Sequence, residues 1–194
     1  AGSSIRTINA DGTVTCEDDN GGPTNAFVQG GNAFGATAVL GTSDNNAVDI
    51  RVNNSRVMRF EPNALGPNVL GGDASNSAGS FSGQTVAGGG GSSNGCWEAS
   101  AGNYSRPCAN RVNGDYATVG GGLATQVLAG ASVVSGGGSN TASGTFSAVG
   151  GGDSNVASGL VSYVGSGNGN IASGSYSVVP GGLLNRASGN FSFA

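Results

Sequence analysis

The chain has 194 residues, a formal net charge of −4 and charged side chains at only 9% of positions. With neither lysine nor histidine it has no extended basic surface to neutralise nucleic-acid phosphates, lacks the commonest general base and zinc ligand, and cannot assemble a Ser/His/Asp or Ser-Lys set. No apolar run reaches the ~18 residues of a membrane span, so neither a nucleic-acid partner nor membrane insertion is expected, and no cofactor, metal or enzymatic activity either.

Residues 1–23 read as an N-terminal β-hairpin and an acidic linker. Two β-rich halves flank Asp11-Gly12, a turn dipeptide. Ala1 matches the small residue left by signal-peptide removal and equally a boundary of other origin; the former implies a secreted, extracellular protein. Glu17, Asp18 and Asp19 could bind Ca²⁺ weakly, but a solvated linker is the plainer reading. Residues 24–65 form a second β-unit. Val48, Ile50 and Val52 alternate on one face, and Val57, Met58 and Phe60 follow the Asn53-Asn54 turn. Arg51, Arg56 and Arg59 cluster here, with Asp49 and Glu61 beside them.

Residues 66–114 read as irregular repeats interrupted by CWEASAGNYSRPC. In an exported protein Cys96 and Cys108 would pair as a disulfide that staples this insertion. Insertions in solenoids map to loops on one face and often carry recognition, so Trp97 and Tyr104 are the candidate contact residues. Cys16 is then left over, either as a free thiol or for an intermolecular bond. Glycine runs such as 88–91 lack the GKS/GKT continuation of a phosphate loop and read as turns.

Residues 115–194 carry a regular 15-residue repeat, as in TFSAVGGGDSNVASG at 145–159. Ser132, Ser147, Ser162, Ser177 and Ser192 recur at this period, as do Val119, Val134, Val149, Val164 and Val179. A fixed short period means one supersecondary unit stacked many times: an all-β, parallel β-solenoid (β-roll). Residues 146–149 are expected as one strand, 150–152 as a glycine turn and 156–158 as a second strand. Ser147, Val149 and Ala157 are expected inside a thin coil, because only small side chains fit between two faces so close. One Val and one Ala per coil offset little of the cost of ordering fifteen residues. Phe146, Val156, Leu160, Ile171, Leu183, Leu184 and Phe191 therefore require a second burial surface, which a homotrimer of solenoids would supply.

The matches at Ser147, Val149, Gly151, Gly152, Asn155, Ala157, Ser158 and Gly159 resemble the head repeats of trimeric autotransporter adhesins. Thr125 and Ser166 depart from that pattern. The resemblance implies a left-handed parallel β-roll wound as a trimer. Gly41, Thr42, Asp44, Asn45, Ile50, Arg51, Val52, Asn53, Asn54, Arg56 and Arg59 resemble a segment of bacterial and phage tail-fibre proteins that precedes glycine-rich repeats.

Two functions follow as expectations. The first is an extracellular adhesive fibre segment whose polar surface attaches to a cell-surface glycan or protein. The second is a self-assembling filament in which residues 4–15 of another subunit cover the open coil at 191–194, with Cys16 placed to lock subunits together. An ice- or mineral-binding surface is the weakest reading, because no regular Thr ladder occurs.

Overall fold

The computed structural model describes the strands Ile5–Ile8 and Val14–Cys16, residues 39–91 and 108–194, the strands Cys96–Glu98 and Asn103–Arg106, and two single positions, Ala10 and Thr37. The chain divides into two compact units, Ala1–Gly41 and Thr42–Ala194. In the first, Ile5–Ile8 runs antiparallel to Val14–Cys16, with Ile5 opposite Cys16 and Ile8 opposite Val14. The Asp11-Gly12 turn and the acidic linker lie outside the described residues.

The second unit is a parallel β-solenoid of about seven turns. Each regular coil contributes one two-residue strand to each of two sheets. Sheet I holds Val48–Val52, Ser55–Glu61, Asn68–Gly71 and Thr85–Val86, then Thr118–Val119, Val133–Val134, Ala148–Val149, Tyr163–Val164 and Val178–Val179. Sheet II holds Ser77–Ala78, Arg111–Val112, Gln126–Val127, Thr141–Ala142, Val156–Ala157, Ile171–Ala172 and Arg186–Ala187. The register is one full repeat throughout the regular coils: Val149 pairs with Val134 and Val164, and Ala157 with Ala142 and Ala172. Equivalent residues thus stack in columns about 4.8 Å apart.

The interior is a double column of small apolar side chains. Val119, Val134, Val149, Val164 and Val179 come from sheet I, and Ala142, Ala157, Ala172 and Ala187 from sheet II, all buried. Ser147 is buried beside Val149, as the repeat pattern implies.

The strands are shorter than the pattern suggests. Residues 146–149 are expected as one strand, but the strand is Ala148–Val149 alone. Phe146 instead has φ 58° and lies in the turn. The same left-handed conformation recurs at Tyr116, Ala131, Val161, Tyr176 and Phe191, each one repeat apart. A coil this short must reverse direction within a few residues, so the backbone enters the left-handed region whatever side chain stands there. Within 150–152 only Gly152 has positive φ, at 84°, and a Cβ there would collide with the carbonyl oxygen of Gly167 in the next coil.

The hairpin before the repeats is continuous with sheet I. Val48–Val52 and Ser55–Glu61 pair antiparallel around Asn53 and Asn54, whose φ values of 46° and 63° are those of a two-residue primed turn. Ser55–Glu61 pairs antiparallel with Asn68–Gly71, which then pairs parallel with Thr85–Val86. The hairpin therefore covers the strand edge that the first coil would otherwise expose. On the sheet II side, Arg56 Nη2 donates to the Ala74 carbonyl (2.6 Å) and the Asn76 carbonyl (3.0 Å).

Candidate functional site

A ladder of buried asparagines joins the coils. Asn155 Nδ2 donates to the Gly151 carbonyl of its own turn and to the Gly167 carbonyl of the next, both at 2.9 Å. Its Oδ1 accepts the Asn170 N–H at 2.9 Å. Asn140 and Asn170 repeat the pattern, and Asn76 and Asn110 extend it into the irregular coils. The repeat pattern contains this asparagine without revealing its task. The only sequence signal is its recurrence, and the carbonyls it reaches belong to two different coils.

The insertion is set into one coil. Equivalent asparagines lie 34 residues apart across it, against 15 in the regular coils. Its stems meet where the Cys108 N–H donates to the Gly91 carbonyl at 2.9 Å. Between them, Cys96–Glu98 pairs antiparallel with Asn103–Arg106. The register sets Trp97 opposite Tyr104, so both candidate contact residues lie on one short ribbon, and it sets Cys96 opposite Arg106, near Cys108 in the chain. Cys108 itself is buried. Cys16 ends the strand Val14–Cys16 in the other unit.

The two sheets present unlike outer faces. On sheet I the outward column runs Phe60, Val69, Thr85, Thr118, Val133, Ala148, Tyr163, Val178 and Phe193. Val133 (38%), Tyr163 (43%) and Phe60 (40%) are exposed. The neighbouring edge adds Tyr116, Phe146, Val161 and Tyr176, held outward by their turn conformation. Tyr176 stacks on Phe191 with ring centroids 5.2 Å apart. The outward column of sheet II is more polar: Ser77, Arg111, Gln126, Thr141, Val156, Ile171 and Arg186.

The opposite face of the hairpin is charged. Asp49 stands across from Arg59 in the ladder and Arg51 across from Arg56. Asp49 Oδ1 accepts from Arg59 Nε (2.6 Å), while Oδ2 accepts from Arg59 Nη2 (3.0 Å) and Arg51 Nη2 (3.1 Å). The Arg59 hydrogen bonds, then those of Arg51, hold the Asp49 carboxyl at about 2, below its ordinary 3.8, against the opposing effect of burial. Glu61 approaches Arg59 Nη1 at 3.6 Å. Together Asp49, Arg51, Asn54, Ser55, Arg56, Arg59 and Ala74 line an open cleft of about 460 Å³. The sequence shows these arginines as a cluster offset by neighbouring acids, but not that they converge on one cavity.

Among the described residues, no three His, Cys, Asp or Glu side chains are grouped so as to hold a metal ion, and no helix is long and apolar enough to cross a membrane. No protein-family model matches the chain, and no curated protein matches it.

Proposed function

We propose that this chain is a segment of an extracellular adhesive fibre, a trimeric β-solenoid with a structural rather than catalytic role. Its copies associate along the outer face of sheet I. The carrying observation is the contrast between the two sheets: of the outward column from Phe60 to Phe193 only Thr85 and Thr118 are polar, whereas of the sheet II column only Val156 and Ile171 are apolar. An apolar strip continuous from Val133 to Phe193 is more than scattered surface hydrophobics, and burying it against identical strips supplies what the narrow interior lacks. The head-repeat resemblance supports three copies and a left-handed roll. The polar surfaces and the ribbon carrying Trp97 and Tyr104 remain free to attach to a cell-surface glycan or protein, and a Cys96–Cys108 disulfide fixes that ribbon at its stem.

Light scattering with and without reductant tests the reading. A mass near three times 18.5 kDa is expected. A concentration-independent monomer would overturn it. Open-ended polymers that dissolve on reduction would instead favour the filament joined through Cys16. Trp97→Ala and Tyr104→Ala are expected to weaken cell attachment without changing the mass; unchanged attachment in both would remove the ribbon from the binding surface.

A further inference from the structure

We infer that the arginine cleft on the hairpin binds an acidic saccharide, whose carboxylate or sulfate sits against the guanidinium groups of Arg51 and Arg56. The inference deepens the adhesive reading above and rests on it. Three of the chain's seven cationic residues line this one cleft of a protein whose net charge is −4. The acids do not cancel them. Both oxygens of Asp49 are engaged, mostly by Arg59, which also faces Glu61. Arg51 touches Asp49 through Nη2 alone, and its side chain is 56% exposed. The acceptors that hold Arg56 are backbone carbonyls, which carry no net charge. Two guanidinium groups are thus anchored at one end with further N–H donors available to a ligand, the fork geometry suited to a carboxylate or sulfate.

The rest of the lining favours a sugar over other anions. Asn54 and Ser55 add an amide and a hydroxyl suited to sugar hydroxyls, and among the described residues Ala74 is the sole apolar contributor. Among the described residues the lining offers a peptide no apolar pocket for an anchoring side chain. A nucleic acid needs a run of phosphate contacts, which one cleft of this size does not offer. The cleft also lies on the face of the hairpin opposite Ile50 and Phe60, so a copy docked on the apolar face of sheet I leaves it open.

The test is calorimetric titration of the full chain with a sulfated heparin-type tetrasaccharide, a carboxylate-only oligouronate and a neutral oligoglucoside. Binding to at least one acidic saccharide, weakened by added salt and absent for the neutral one, is expected. Comparing the two acidic arms identifies the anion. Arg51→Gln should lower affinity about tenfold, with Arg186→Gln on sheet II unchanged. Arg51→Lys, which keeps the charge and loses the fork, should fall between and guards against a misfolded glutamine variant. Absence of acidic-saccharide binding, equal affinity in Arg51→Gln, or tighter binding of polyglutamate or single-stranded DNA would overturn the inference. Cell attachment that survives Arg51→Gln would remove the cleft and leave the fibre reading intact. Saccharide binding by a proven monomer would do the reverse.

Discussion

Asn155 engages both amide hydrogens and its carbonyl oxygen within the stack, tying its own turn to the next coil. In so thin a core these bonds supply an acceptor for the buried Asn170 N–H and a donor for the Gly151 carbonyl. Asn155→Ala should therefore destabilise the chain by about 2–4 kcal/mol, with Asn155→Thr milder because Thr125 already occupies an equivalent place. The urea unfolding midpoint reads both. Ser147 provides the contrasting case. Its Oγ is buried without a hydrogen-bond partner, and Ala117 fills the same position in an earlier coil. Ser147→Ala is expected to be neutral or to stabilise by up to about 1 kcal/mol; a loss beyond that would show that the hydroxyl does have a partner in solution.

At the scale of elements, the hairpin is held to the solenoid by backbone pairing with Asn68–Gly71 and by Arg56, and is braced across its own strands by Asp49 and Arg59. The Asp49 carboxyl lies at about 2 in the folded chain against an ordinary 3.8, chiefly through Arg59. A lowered carboxyl contributes stability that is present above the unfolded value and lost as pH falls toward the folded one. The hairpin should therefore weaken between about pH 4 and pH 2. Asp49→Asn should be less stable at neutral pH and flatter across that window. Carbon-detected titration of Asp49 should give a midpoint near 2 that Arg59→Gln moves back toward 3.8; a midpoint unmoved by Arg59→Gln would assign the shift elsewhere.

At the scale of the whole molecule, the outer faces of the two sheets differ, and that of sheet I is apolar from Val133 to Phe193. Charges placed on that face test whether it is covered. Val133→Glu with Tyr163→Glu should convert the assembly to monomer while the β-sheet circular dichroism signal persists. The same pair of changes at Gln126 and Thr141 on sheet II should leave the mass unaltered. Dissociation by both pairs would mean that general charge, rather than the sheet I face, sets the assembly state.

The repeat itself was legible because a solenoid copies one local solution. Each position of the 15-residue unit meets the same surroundings in every coil, so recurrence alone marks Ser147, Val149 and Ala157 as interior. The turn-dipeptide logic likewise places the hairpin reversal at Asn53-Asn54. Three features depended on the third dimension. The left-handed backbone at Phe146 and Val161 is imposed by closing the coil, against the ordinary preference of aromatic and β-branched residues. The union of the hairpin with sheet I depends on Ser55–Glu61 finding Asn68–Gly71, an edge pairing that no local pattern specifies. The cleft needs Arg56 to reach carbonyls 18 and 20 residues ahead while Asp49 holds Arg59 across the ladder. Periodicity reports what a residue's own coil requires. Contacts between unlike segments are set by which strand edges and charges the folded backbone brings together, and those appear only once the coils are stacked.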